Sequence, residues 1–321
     1  MRNLRTFVLG VFLSLNLGLA GAAYPDRPIR LVVAYPPGGG TDIIARLIAP
    51  QLSKKLGQPI SIENRGGASG NIGTEVVANA APNGYTLLMG NIAPNAINVS
   101  IFKKLPFNPE RDFLPISLVA ITPNILVANI DLPVKSVADL LALAKASPGK
   151  INYPSAGSGT SSHLAGVLFG SMASVNMIHV PYKGGGLAMN DLLGGQVDIY
   201  FATMPAAMPF VKAGKLRPLA VTSERQSLAM PGLPTISESG LSGYSATTWY
   251  GLYAPKGTPS EIIDQLNRAT VEVLKNPEFR EQLIQRGFEP AGNSPKEFAN
   301  FISAEINKWA KVVHLAGIEP E

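Results

Sequence analysis

The residues best suited to chemistry lie in two glycine-rich stretches, Tyr35-Pro-Pro-Gly-Gly-Gly-Thr-Asp42 and Ser155-Ala-Gly-Ser-Gly-Thr-Ser-Ser162. Glycine lets successive backbone N–H groups turn toward one point. A helix that starts there adds unpaired N–H groups and about half a positive charge. Each stretch is therefore suited to hold an anion without a charged side chain. Thr41, Ser155, Ser158, Thr160 and Ser161 add hydroxyl donors. If the fold brings both stretches to one cleft, an elongated dianion can be held at both ends, and a dicarboxylate is the simplest such ligand. The plainer reading is that glycine-rich turns are common and that a Ser or Thr before a helix only caps it. Gly184-Gly-Gly186, after Tyr182-Lys183, is a third candidate; Lys183 would neutralise a carboxylate there unless it is simply a solvated lysine.

Other chemistries find less support. Gly38-Gly-Gly40 has neither the G-x-G-x-x-G spacing nor the Walker pattern, and Gly66-Gly-Ala-Ser-Gly-Asn-Ile-Gly73 has no suitable frame for a nucleotide. Ser158 and Ser69 both miss the G-x-S-x-G elbow that a serine nucleophile needs. The three histidines, His163, His179 and His314, have no metal-ligand spacing, and each reads first as a packing residue. Asp42 sits favourably near a helix start, with Arg46 one turn on as its partner. No paired carboxylates are placed to act as acid and base, and no cofactor is implied.

The elements that must position these loops follow from the hydrophobic periods. The segment over 29–35 is an apolar strand, broken by the proline-glycine run, and Thr41 is expected to cap a helix over 42–56 that Gly57 stops. Strands over 59–63 and 85–89, with a helix over 74–80 between them, complete a β-α-β-α-β series with parallel strands. The same grammar returns from about residue 125. It gives strands over 124–129, 150–153, 177–180, 197–201 and 216–221 and helices over 136–146, 161–172 and 187–193. The C-terminal part is mainly helical. Thr258-Pro-Ser-Glu261 and Ser294-Pro-Lys-Glu297 both read as capped helix starts. Phe298, Phe301, Ile302, Trp309, Val312 and Val313 share one face of the last helix, which must bury against the first domain through the strand over 249–253. The expectation is an α/β protein of two domains, each a mostly parallel sheet flanked by helices. A discontinuous first domain (24–122 and 247–321) and an inserted second (123–246) then face each other across a ligand cleft, joined by two crossing segments.

Composition narrows the class of protein. The chain has 321 residues, 46 % hydrophobic and 15 % charged, which excludes intrinsic disorder for most of it. There is no cysteine, hence no disulfide, thiolate site or cysteine nucleophile. The net charge of +5 is spread without a basic cluster, so no nucleic-acid partner is expected. Residues 1–23 read as a cleaved signal peptide: Arg2 and Arg5, an apolar run, then Ala20-Gly-Ala22. The run is too short for a membrane span. The mature chain is expected to be a soluble monomer in the periplasm.

An ordered set of segments resembles the Bug, or TctC, family of solute-binding proteins, the extracytoplasmic receptors of tripartite tricarboxylate transporters. The set includes Tyr24-Pro-Asp-Arg-Pro-Ile-Arg30, Pro36-Pro-Gly-Gly-Gly-Thr-Asp42, Glu63-Asn-Arg65, Gly70-Asn-Ile-Gly73, Pro82-Asn-Gly-Tyr-Thr-Leu-Leu88 and Ser155-Ala-Gly-Ser-Gly-Thr-Ser-Ser-His163. It continues through His179-Val-Pro-Tyr-Lys-Gly184, Asp191-Leu-Leu-Gly-Gly-Gln-Val197, Ala213-Gly-Lys-Leu-Arg-Pro-Leu-Ala-Val-Thr222 and Pro234-Thr-Ile-Ser-Glu-Ser-Gly240. The resemblance implies the fold of a two-domain periplasmic binding protein of type II, closure of its α/β domains on a small carboxylate, and delivery of that ligand to one large and one small integral membrane subunit. It places Tyr35, Pro37, Gly38, Gly39, Gly40, Thr41 and Asp42 at the ligand from the first domain, with Asn91, Ile92 and Ala93 from the loop after the third strand. From the second domain it implies Ser155, Gly157, Ser158, Gly159, Thr160, Ser161, His163, Tyr182, Ala202 and Thr203. Ala202 stands where many members carry an acid, which argues against a ligand amine. An exported enzyme using Ser or His in the same cleft, and a sensor with no transport role, are the alternatives.

Overall fold

A computed structural model describes residues 24–315 and 318–320. The expected signal peptide, residues 1–23, lies outside the described residues. The strands are β1 (Ile29–Val33), β2 (Ile60–Asn64), β3 (Thr86–Asn91), β4 (Phe113–Asn129), β5 (Asn152–Ser155), β6 (Ile178–Pro181), β7 (Ile199–Thr203), β8 (Leu216–Val221), β9 (Thr247–Pro255) and β10 (Glu289–Pro290). The helices are α1 (Gly40–Leu56), α2 (Asn71–Ala78), α3 (Asn98–Ile101), α4 (Val137–Ala146), α5 (Ser161–Ala173), α6 (Gly185–Leu193), α7 (Met204–Lys212), α8 (Ser260–Lys275), α9 (Pro277–Ile284) and α10 (Pro295–Leu315). None of the described helices is long and apolar enough to cross a membrane.

The β-α-β-α-β grammar of the first hundred residues yields parallel β2-β1-β3. β1 is covered on both faces and is apolar except for Arg30, which pairs with Glu63 of β2. Leu31 and Val33 face a core with α1, α8 and α9, while Val32 faces a second core with α10. β9 then pairs antiparallel with β3 and with the first half of β4, and β10 closes the edge. Phe298, Ile302, Trp309 and Val313 bury the expected face of α10 against this sheet. Glu305 accepts from the indole N–H groups of both Trp249 and Trp309, at 3.0 and 3.1 Å.

The strand expected over 124–129 proves to be the end of a much longer one. β4 carries Pro115 and Pro123, which masked it in the sequence, and bulges at 115–117 and 118–120 absorb the irregularity. At its middle the partner changes: Pro123 pairs with Thr247 of β9, and Asn124 with Thr203 of β7. β7 and β8 both run antiparallel to the far half of β4, while β5 and β6 form a parallel pair. Helices α4 and α5 cover one face of this second lobe, and α6 and α7 the other. Parallel order therefore holds for β1–β3 and β5–β6, and antiparallel strands supply the links between lobes.

Two expected caps differ. α1 begins at Gly40 with Gly39 as its cap residue, so Thr41 lies inside the first turn and caps nothing. Thr258 gives its hydroxyl to Pro255 O at 2.8 Å, and α8 starts at Ser260 without a side-chain cap. The boxes at Ser136 and Ser294 do form: Asp139 N–H donates to Ser136 Oγ at 3.1 Å, and Ser294 N–H to Glu297 Oε2 at 2.9 Å.

Candidate ligand-binding cleft

The 35–42 loop is fixed by the residue that ends it. Asp42 reaches back to accept from Gly38 N–H at 3.0 Å and from Arg46 Nε at 2.9 Å. Asn64 joins it, donating from Nδ2 to Asp42 Oδ1 at 2.9 Å and to Tyr35 O at 2.8 Å. Burial raises the Asp42 carboxyl, but Arg46, Asn64 and the Gly38 N–H outweigh that and leave it below the ordinary range. The expected Asp42–Arg46 pair is present, and the carboxylate is consumed in holding the loop. The first intrahelical bond of α1 is Ile43 N–H to Gly39 O, so the N–H groups of Gly40, Thr41 and Asp42 precede the helical ladder. Thr41 Oγ1 accepts from Asn91 Nδ2 at 2.9 Å, and Asn91 Oδ1 accepts from Ala93 N–H at 3.0 Å, which ties in the loop after β3.

The 155–162 loop is stapled from within in the same way. Ser155 Oγ accepts from Gly157 N–H at 3.1 Å, and Ser162 Oγ from Ala156 N–H at 3.1 Å. Thr160 Oγ1 donates to Gly157 O at 2.6 Å. His163 Nδ1 accepts from Gly159 N–H at 3.1 Å, so this nitrogen carries no proton. Its ring stacks on His179 at 4.0 Å, and His179 Nε2 lies 2.7 Å from Ser155 Oγ. Burial pushes His163 down to about 4. Burial and then the neighbouring His163 push His179 down to about 3. Both rings are neutral supports of the loop. The ladder of α5 opens with Leu164 N–H to Thr160 O, leaving the N–H groups of Ser161, Ser162 and His163 ahead of it.

The two helix starts meet at one cavity between the lobes. Of the expected residues, Tyr35, Gly39, Gly40, Thr41, Asn91, Ile92, Ala93, Thr160, Ser161 and Thr203 line it. Ala156, Ser162, Gly185, Tyr200, Ala206, Thr248 and Tyr250 line it as well. Every lining side chain is neutral. Burial raises the Tyr35, Tyr200 and Tyr250 phenols above their ordinary value, so all three keep their protons. Tyr35 gives its hydroxyl to Ser69 O at 2.8 Å. The Tyr250 hydroxyl is buried with no hydrogen-bond partner among the described residues, and a Cβ on Gly40 would collide with it.

The remaining expected residues fall elsewhere. Pro37 and Gly38 line an adjoining crevice with Leu187 and Phe210. Gly157 and Tyr182 line an outer chamber with Ser69 and Lys183. Asp42, Ser155, Ser158, Gly159, His163 and Ala202 line none of these three spaces. Asp42, Ser155 and His163 are spent inside the loops, and Gly159 faces Asn98 of the first lobe. Ala202 is fully buried in the core with Ile125, because strand alternation turns it away from the face of Thr203. Ala156, Ser162 and Gly185 sat within stretches that the sequence had marked. Thr248 and Tyr250 had no such signal, since an apolar strand does not disclose which side chains meet a cleft.

Two α/β lobes joined by crossing strands, with helix starts turned into the cleft between them, define a two-domain periplasmic binding protein, a solute receptor. Residues 44–318 match the model of the tripartite tricarboxylate transporter family receptor, TctC, and the chain belongs to that family. BugT of Bordetella pertussis is 39 % identical over 317 residues, covering 97 % of this chain and 96 % of BugT. An R. palustris protein solved with adipate superposes with a TM-score of 0.91 at 39 % identity, over 93 % of this chain and 100 % of that one. The periplasmic binding protein BugD gives 0.89 at 36 % identity, over 93 % and 100 %.

Proposed function

We propose that this protein is a periplasmic receptor that captures a small carboxylate between its lobes and delivers it to a large and a small membrane subunit of a tripartite transporter. The observation that carries the reading is the cavity where α1 and α5 begin, lined by hydroxyls and backbone N–H groups and by no charged side chain. Such a site favours an anion through helix dipoles and orphan N–H groups, and the neutral phenols add donors. That a similar chain was solved with adipate agrees with this class of ligand. The ligand is held by Gly40, Thr41, Ser161 and Ser162 from the helix starts, with Tyr250 and Thr203 beneath.

The same reading takes residues 1–23 as a signal peptide removed on export, and the mature chain as a monomer. Domain 1 comprises 24–122 and 247–321, and domain 2 comprises 123–246. The change of partner along β4 at Pro123 and Asn124 supports this division. The chain acts without turnover. The close Ser–His contact that would suggest an enzyme, Ser155 with His179, does not line the cavity, and Ser155 is fully buried.

A thermal-shift screen of the mature chain tests the proposal, using mono-, di-, tri- and aromatic carboxylates, amino acids and amides. A ligand at about 100 times its Kd stabilises by roughly 2.7 kcal/mol. The expected result is a shift confined to carboxylates, with the acid recovered unchanged. A shift for amides or amino acids alone, or a chemically altered acid, refutes the reading. The screen is repeated after unfolding and refolding, so that a co-purified ligand does not hide a shift.

A further inference from the structure

The two helices whose starts meet at the cavity carry an apolar side chain at the same place. Ile43 makes the first intrahelical bond of α1, to Gly39 O, and Leu164 makes that of α5, to Thr160 O, both at 3.0 Å. An apolar residue in the first turn of a helix ordinarily faces the core of its own lobe. Leu164 does not. It is 1 % exposed and lies in the apolar cluster that holds Ile92, Ile97 and Ile101, where every other residue belongs to the first lobe. Ile43 makes the reverse crossing. It packs against the second-lobe cluster that holds Met204 and Met208, and it shares a groove with Pro205 and Pro209 of α7. Ile43 also touches the core of its own lobe and is only half-buried. The other two apolar clusters among the described residues take their buried members from one lobe each.

Polar contacts do not hold the same seam. No ion pair among the described residues joins the lobes. Gly159, just ahead of α5, lies against Ile101 and against Asn98 of the first lobe, where a Cβ would stand 2.7 Å from Asn98 Oδ1. That oxygen is buried with no hydrogen-bond partner among the described residues. The Asn98 amide is spent inside the first lobe, donating to Ser69 O at 3.3 Å and to Asn71 Oδ1 at 2.6 Å. An unpartnered buried acceptor opposes the contact between lobes, so apolar burial must outweigh it. Leu164 supplies that burial at the place where it matters for binding. Ser161 lies three residues before it, about 4.5 Å along the helix axis. Whatever fixes Leu164 therefore fixes the N–H groups of Ser161 and Ser162.

We propose that Leu164 and Ile43 are reciprocal positioning residues, each seating the anion-binding start of its own helix against the opposite lobe. Neither lines the cavity, so neither acts by touching the ligand. Leu164 carries more of the seating than Ile43, because its burial lies wholly in the other lobe. The proposal rests on the receptor reading above and adds to it the side chains that bring the two halves of the site together.

Two measurements on the full mature chain test this. Spin labels are attached through Asn79→Cys and Lys145→Cys, exposed positions of the first and second lobes in a chain without cysteine. Without ligand, the label distance should lengthen and broaden on Leu164→Ala, and do so less on Ile43→Ala. Calorimetric titration then uses the acid with the largest thermal shift in the screen above. L164A should bind it roughly 10- to 100-fold more weakly, the worth of burying one leucine side chain. L164M, which conserves apolar volume, should stay within about threefold of wild type. Leu140→Ala, in the second-lobe core, is the control for a merely structural leucine. It should lower the melting temperature more than L164A does and leave Kd within about twofold of wild type. Unchanged label distances in L164A, or a Kd within about twofold of wild type, overturn the proposal. So does an L140A variant that weakens binding as much as L164A. If no carboxylate binds wild type, the receptor reading fails and the label distances alone decide the seating.

Discussion

Replacing Gly186 with alanine should weaken ligand binding without weakening the fold. Gly186 is the second residue of α6 and lines the crevice rather than the ligand cavity. Its φ is not left-handed, so the alanine backbone is unstrained, and a helix gains up to about 1 kcal/mol from the change. With the lobes placed as they are here, however, the new Cβ would lie 2.8 Å from Pro37 O of the opposite lobe. That neighbour is backbone, held by the network around Asp42, so the lobes must part to make room. Overpacking of this kind costs about 1–3 kcal/mol, which corresponds to roughly 5- to 150-fold in affinity. The assay pairs a thermal melt of the ligand-free protein with calorimetric titration of the carboxylate that gives the largest shift. The expected outcome is an unchanged or raised melting temperature with a Kd weakened by that factor. If G186A binds as wild type does, the glycine contact between lobes is not part of the binding-competent state. If it melts lower without ligand, the separation of closure from folding is wrong.

Further outcomes follow from the same geometry. Tyr250→Phe removes a buried hydroxyl that has no hydrogen-bond partner among the described residues, so ligand-free stability should hold or rise, while carboxylate affinity falls about tenfold if the ligand supplies that partner; unchanged affinity would take Tyr250 out of the site. Asp42→Ala strips acceptors from Gly38, Arg46 and Asn64 and should lower stability in urea by about 1–3 kcal/mol, with a loss of binding because the loop is freed; a fully stable variant would contradict this. His163 and His179 are held neutral, at about 4 and about 3 against an ordinary 6.5. The unfolded chain therefore takes up protons first as pH falls, and stability that is complete above pH 6.5 is lost progressively toward pH 4. Each ring steepens that loss by at most about 1.4 kcal/mol per pH unit. Urea unfolding at pH 7.5, 6 and 5 should give a shallower slope for His179→Gln than for wild type, and equal slopes would refute the assignment.

Much of this architecture could be read from residue order because local signals agreed with the fold. The β1–α1 loop announces itself by a proline-glycine run between an apolar strand and a helix that Gly57 ends in a left-handed cap. The capping boxes at Ser136 and Ser294 hold because a side-chain acceptor and a backbone donor three residues apart need no tertiary help. The true length of β4 stayed hidden because its prolines read as breaks; Pro115 is accommodated at a bulge in the pairing with β9, and Pro123 where β4 changes partner. At the site, the loops were legible and their inner bookkeeping was not. Ser155, His163 and Asp42 are polar residues in a glycine-rich anion loop, and only the structure reveals that they satisfy the loop itself. The stacking of His163 on His179 depends on the parallel pairing of β5 with β6, a contact no local pattern encodes. Tyr250 and Thr248 meet the cavity because β9 starts where the chain returns from the second lobe, opposite Pro123, which its apolar sequence does not announce.

The most direct test is a crystal structure of the mature protein with the carboxylate that stabilises it most. The account predicts the carboxylate oxygens within hydrogen-bond distance of the N–H groups at the starts of α1 and α5, near Gly40, Thr41, Ser161 and Ser162, with the acid chemically intact. A carboxylate bound away from those helix starts, or held there chiefly by a charged side chain, would contradict it.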